Sequence, residues 1–244
     1  MRTFAPVLAA GFLLTGCGQT EEQGAVTQAE VAPALVADEN ILSSSPPKRS
    51  FPVLTGPYAP RDECGSEAGW AVFAQRLAAA VKARDAAGLA TLADPAIVLD
   101  FGGGSGREEL QRRLRGDSGR ELWAELDAIL RLGCAKGREG DNVVLPWFFG
   151  QDLGEADPYQ VLLVSGDRVP LRVAPDPSAE VIALVAWHLA DAAEERAGFR
   201  KVSLKDEEAK GYIASTALRS PLDYRLVAQR RDGEWRLMAF VAGD

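Results

Sequence analysis

Asp223-Tyr-Arg-Leu-Val-Ala-Gln-Arg-Arg-Asp-Gly-Glu-Trp-Arg-Leu-Met-Ala-Phe-Val241 is the stretch whose reading decides the fold. It holds two strand-forming runs, 223–230 and 234–241, joined at Asp232-Gly233, a dipeptide suited to the left-handed turn of a two-residue hairpin. A lone hairpin is marginally stable in water, so these strands need partners elsewhere in the chain. Two earlier runs qualify. Ala96 to Phe101 carries Ile97, Val98, Leu99 and Phe101 and reads as a mostly buried strand. Val143 to Phe149 is apolar and aromatic, with Pro146 suiting an edge or a bulge. The expectation is one discontinuous α+β domain, residues 61–158 with 219–244, built from helices and an antiparallel sheet.

Helical spacing supports this. Trp70, Phe73, Leu77, Ala80 and Val81 recur on one face between Glu67 and Asp85, and Leu122, Trp123, Leu126, Ile129 and Leu130 do so between Gly119 and Leu132. Gly102-Gly103-Gly104-Ser105-Gly106 opens a further helix. Such a turn can cradle an anion on free backbone N–H groups. Arg107 stands where both the dinucleotide fingerprint and the nucleophile elbow need glycine, so neither motif is present. Ser105 with Glu108 has capping-box spacing, and the turn reads as structural.

Residues 159–218 change character, to short strands at regular spacing that suggest a small barrel. Val169-Pro170-Leu171-Arg172-Val173-Ala174-Pro175 is followed by Ser178-Ala179-Glu180-Val181-Ile182, then Phe199-Arg200-Lys201-Val202, then Gly211-Tyr212-Ile213. This succession resembles the bacterial SH3 family: a V-x-L-R-x-x-P strand, a V-I pair, a W-x-K-V strand and a G-Y-V/I close. It departs at Pro170, at Phe199 in place of tryptophan, and at a helix-prone Trp187 to Ala197 insertion. The resemblance implies an SH3-like β-barrel inserted into the α+β domain. It also implies an aromatic groove of Tyr159, Trp187, Phe199 and Tyr212, with Arg172 for a carboxylate. The order of the flanking elements faintly resembles the nuclear-transport-factor-like cone fold.

At the amino end, Arg2 precedes an apolar run, Phe4 to Leu14, which closes on Leu14-Thr15-Gly16-Cys17. A short basic start, a greasy middle too short to span a bilayer and small residues before the cut mark a secretory signal. The cysteine after Leu-Thr-Gly resembles the lipobox of bacterial lipoproteins, which implies cleavage after residue 16 and a diacylglyceryl group on Cys17. Gly18 resembles the class sorted to the outer membrane. Residues 17–60 read as a disordered linker around Ser43-Ser44-Ser45-Pro46-Pro47, about 40 residues with a reach of roughly 35 Å. The expected address is the cell envelope, facing the periplasm and held to the membrane by lipid. There Cys64 and Cys134 form an even pair in an oxidising compartment and are expected to be bridged.

The chain has 244 residues and a net charge of −8, or −9 once Arg2 leaves with the signal. So acidic a protein gains little from counterion release, which argues against nucleic acid. Its single histidine, His188, excludes a two-histidine metal site and reads as a surface or half-buried residue. No cofactor is expected. Asp100, beside the glycine turn, is the carboxylate nearest to a candidate acid, though a turn ligand is the simpler reading. Two functions follow. One is a non-catalytic envelope lipoprotein whose SH3-like domain binds a peptide, peptidoglycan or a protein partner. The other is a small-molecule-binding or enzymatic cone-like domain with a pocket near Asp100 and Arg107.

Overall fold

The computed structural model describes residues 50–137, 142–205 and 207–243, which form a mixed α+β arrangement with two sheets. Cys17, the expected signal peptide and most of the expected linker lie outside the described residues.

The terminal hairpin is the centre of the smaller sheet. Its strands, β12 (Arg225–Arg231) and β13 (Glu234–Val241), pair antiparallel, and both earlier partners join them. β2 (Ala93–Val98) lies parallel to β13, β4 (Asn142–Leu145) antiparallel to β12, and the short β3 (Ala135–Lys136) completes the order β2-β13-β12-β4-β3. Register places Leu145, Leu226 and Phe240 in one row and Val143, Ala228 and Leu237 in the next. All six are buried, because residues two apart on a strand share a face. Four helices cover that face: α1 (Trp70–Lys82), α2 (Ala86–Thr91), α3 (Arg107–Arg115) and α4 (Gly119–Arg131). Trp70 meets Trp235 edge-on at 5.1 Å, and the Trp235 indole donates to the Ala68 carbonyl at 2.9 Å, fixing α1 against β13.

The larger sheet runs β1-β7-β6-β10-β9-β8-β5-β11. Its strands are β1 (Val53–Thr55), β5 (Val161–Val164), β6 (Val169–Arg172), β7 (Val181–Ala186), β8 (Leu189–Arg196), β9 (Phe199–Leu204), β10 (Lys210–Ala214) and β11 (Leu218–Arg219). One apolar cluster takes residues from β5 to β10, so the sheet curls about a shared core. A closed barrel is nevertheless not what these strands make. The ordered sheet ends at β1 on one side and β11 on the other.

Five further expectations are corrected. The helix-prone stretch 187–197 is strand β8, held by β5 and β9 on either side, and Ala197-Gly198, both with positive φ (52° and 76°), turns it back into β9. Pairing with two neighbours overrides the helical preference of Ala and Glu. The strand expected over 96–101 lies earlier, at 93–98. There Ile97 and Leu99 are buried while Phe101 is 59% exposed on the following turn. The strand expected over 143–149 stops at Leu145, where a cis Leu145-Pro146 bond leads into a 3₁₀ turn, Trp147–Gly150. The capping box does not form, because Gly106, at φ 97°, takes the N-cap place and Ser105 bridges back to Val98. Finally, residues 53–55 are not linker. They add β1 in parallel to β7, and the strap continues with Gly56 N–H to the Ala186 carbonyl (2.8 Å) and Tyr58 N–H to the Trp187 carbonyl (3.2 Å). A Cβ on Gly56 would lie 2.4 Å from the Trp187 carbonyl oxygen, so glycine permits that approach.

Candidate functional site

On β6, Leu171 faces the core and Arg172 faces away, and on β10 the same alternation buries Ile213 and turns Tyr212 out. Arg172 stands directly opposite Tyr212, and Tyr212 directly opposite Lys201 of β9. Directly opposed residues share a face and lie about 5 Å apart, so the three make one cross-strand row on the outside of the sheet. Strand parity puts Phe199 on that face too, opposite Ala214, although it is itself buried. The Arg172 guanidinium donates from Nη1 to the Ala179 carbonyl at 2.7 Å, which holds it across the strand and leaves donors for a carboxylate. The two other expected groove aromatics are elsewhere. Tyr159 precedes β5 and is 70% exposed. Trp187 follows β7 with φ 49°, its indole N–H donating to Asp167 at 2.6 Å. The structure therefore joins Arg172, Tyr212 and Phe199 but not Tyr159 or Trp187.

Asp100 and Arg107 are both engaged. Oδ1 of Asp100 accepts the N–H groups of Gly102 and Gly104 at 2.8 Å, and Oδ2 pairs with Arg113. The glycine turn's anion is thus its own aspartate. Those bonds, that from Arg113 foremost and that from Gly104 next, hold the Asp100 carboxyl below the usual range. Arg107 donates to the Ala93 carbonyl from Nε (2.8 Å) and Nη2 (2.5 Å), locking α3 onto β2. Next to them lies an open cleft of about 830 Å³, lined by Arg112, Arg113, Glu121, Glu125, Asp223 and Tyr224 among others. Burial is the main cause raising the Tyr224 hydroxyl above its ordinary value.

Glu109 accepts hydrogen bonds from Arg112 and Arg113, which bring its carboxyl down to about 2. Folded Glu109 therefore ionises more readily than unfolded Glu109, so its contribution is fully present above the unfolded value and is lost as pH falls through the folded one. Thermal melts between pH 5 and pH 2 should show Glu109→Gln with a shallower acid-side loss of Tm than the parent. Parallel profiles would mean that the fork to Arg112 and Arg113 is not made in solution.

Cys64 and Cys134, both buried, are joined in a disulfide with Cα atoms 5.9 Å apart. The bridge fastens segment 61–64 to the end of α4, where Cys134 N–H donates to the Arg61 carbonyl and Glu63 N–H to the Cys134 carbonyl, each at 2.8 Å. Asp62 approaches the two sulfurs within 4.8 Å. With both sulfurs bonded to each other and Asp62 Oδ1 accepting the Cys64 N–H at 3.0 Å, the trio offers no thiolate for a metal.

No family model matches the chain, and no curated protein does. Among solved structures, it is similar to an NTF2-like protein with a cystatin-like fold from Novosphingobium aromaticivorans. That match has 13% identity and a TM-score of 0.25, covering 70% of this chain and 75% of the other. It is also similar to a chain described as a calcium/calmodulin dependent protein kinase II association domain, from Xanthomonas campestris. There the identity is 15% and the TM-score 0.25, covering 76% of this chain and 95% of the other.

Arg219, which sequence reasoning passed over, matters here, and so does His188, whose burial it did not foresee. Arg219, its side chain only 9% exposed, joins β11 to carboxylates from α4 and from the loop before β12: Nη2 to Glu125 at 3.0 Å and Nη1 to Asp223 at 3.5 Å. A lone arginine at the close of a strand carries no spacing signal. His188 is buried, at 7% exposure, rather than a surface or half-buried residue, because the strap through Gly56 passes over it.

Proposed function

We propose that this protein is an exported, lipid-anchored and non-catalytic binding protein of the cell envelope. Its larger sheet, SH3-like in its strand motifs, offers the Arg172–Tyr212–Lys201 face to a peptide, a peptidoglycan stem or an envelope protein. The observation that carries this reading is the outward row itself: a guanidinium, a phenol and an ammonium in register across three strands. Tyrosine and arginine dominate binding energetics where they cluster, and a carboxylate-bearing extended ligand would meet both. Burial of the Cys64–Cys134 disulfide supports an oxidising compartment. A lipid on Cys17 would hold this face within reach of the wall.

The test is co-sedimentation of the chain from residue 18 onward with purified peptidoglycan sacculi. The expected result is pelleting that weakens about thirtyfold in Arg172→Ala/Tyr212→Ala, the fold being checked by circular dichroism. Folded protein that stays in the supernatant, or pelleting indifferent to that pair, ends the proposal for the wall. A second reading is favoured by the cleft beside Arg113 and Tyr224, where a cone-like α+β half would hold a small molecule. Arg113 and Tyr224, rather than Asp100 and Arg107, would face it.

A further inference from the structure

A second cleft, of about 750 Å³, opens where the strap at Pro57-Tyr58 and the loop 152–156 meet the start of β8. Its volume falls in the range of small-molecule sites. Leu189 lines it, and Tyr58, Leu153 and Ala156 pack on the apolar cluster that includes Leu189, Trp147 and Phe148, so the inner side is greasy. The Tyr58 hydroxyl donates to the Asp152 carbonyl at 3.5 Å, a long contact that ties strap to loop.

His188 lines this cleft and is more than nine-tenths buried. Its Nδ1 lies 2.9 Å from the Leu189 carbonyl oxygen. A carbonyl only accepts, so the proton of the neutral ring sits on Nδ1 and Nε2 carries the lone pair. Among the described residues Nε2 has no hydrogen-bond partner. The charges at the mouth are uneven. Lys205 is paired with Asp191 at 2.8 Å, while Asp152 and Glu155 have no cationic partner among the described residues. Asp152 Oδ1 accepts the Gly154 N–H at 2.9 Å, which leaves Oδ2 for a guest.

A lone pair set in the cleft wall, two unneutralised carboxylates and an apolar side select a guest with positively charged N–H donors on a hydrocarbon stem. An anion would meet the carboxylates and the lone pair, and the one ammonium lining the cleft, Lys205, is already neutralised by Asp191. We propose that this cleft binds a primary ammonium group on a short aliphatic stem: His188 Nε2 accepts one N–H, Asp152 and Glu155 take the charge, and the stem lies along Leu153, Ala156 and Leu189. This site is separate from the Arg172–Tyr212 face and stands without it.

The chain has one histidine, so a single imidazole reports on the cleft without resonance assignment. The chain from residue 18 onward is titrated with n-pentylamine hydrochloride at fixed pH and ionic strength, and the ¹⁵N signals of His188 are followed. The expected result is a saturable shift at Nε2, absent with sodium pentanoate, and an affinity lowered about tenfold in Asp152→Asn/Glu155→Gln. Both substituted residues are exposed, so the fold is retained while the rim charge is removed. No saturable shift with the amine, an equal shift with pentanoate, or undiminished affinity in the double variant would each overturn the assignment.

Discussion

Replacing Cys64 and Cys134 together with alanine should lower the free energy of unfolding by about 4 kcal/mol, read as a fall in the urea midpoint. The bridge joins residues 70 apart in sequence. On the chain-entropy account, opening a loop of that length returns to the unfolded ensemble the freedom that the crosslink removes. For a protein of ordinary stability that is about a quarter or more of the total. Reduction of the parent with dithiothreitol should reproduce most of the loss. A double variant within about 1 kcal/mol of the parent would show that the crosslink does not constrain the unfolded chain in this way.

The second large effect is expected at Arg219. Its guanidinium also donates from Nη2 to the Tyr224 carbonyl at 3.0 Å, and it meets Glu125 Oε2, a buried oxygen with no well-directed hydrogen bond of its own. Taking the cation away leaves that oxygen dry and uncompensated. Breaking a fully buried pair costs roughly 3–5 kcal/mol. Glu125 and Asp223 keep about a third of their side-chain exposure (30% and 32%), so water can answer part of the charge and about 2–3 kcal/mol is the better expectation for Arg219→Ala. Adding Glu125→Gln should recover about 1 kcal/mol or more, because the orphaned charge is then gone. Strict additivity in that double-mutant cycle would mean that the pair is incidental and that Arg219 acts through packing alone.

How much of this was legible follows from which signals are local. The helical stripe on α1 needed only spacing: Trp70, Phe73, Leu77, Ala80 and Val81 are all buried. The terminal hairpin needed only Asp232-Gly233, and its dependence on the strands near Ile97 and Val143 followed because two strands cannot stand alone. β8 failed for the opposite reason. Its Ala- and Glu-rich run is mostly exposed, so no alternation marked it, and only two flanking strands impose its extended form. β1 was hidden in a proline-rich lead whose three strand residues make sense only beside Val185. On the candidate face, Arg172 and Tyr212 were each suggested by motif, but their opposition is a fact of register between β6 and β10, which lie far apart in the chain. His188 is the instructive case: frequency favoured a surface or half-buried residue, whereas a distant strap at Gly56 buried it.

Helices α1 to α4 and strand β2 fall between the two half-cystines. That layer is a covalently closed ring, from which the remaining strands leave as tails. A protease that cuts once anywhere from 65 to 133 produces two pieces that still migrate as one until the sulfurs are parted. The helical layer can accordingly take a nick in an exposed connection and keep its cover over the hairpin, where an open chain would shed it.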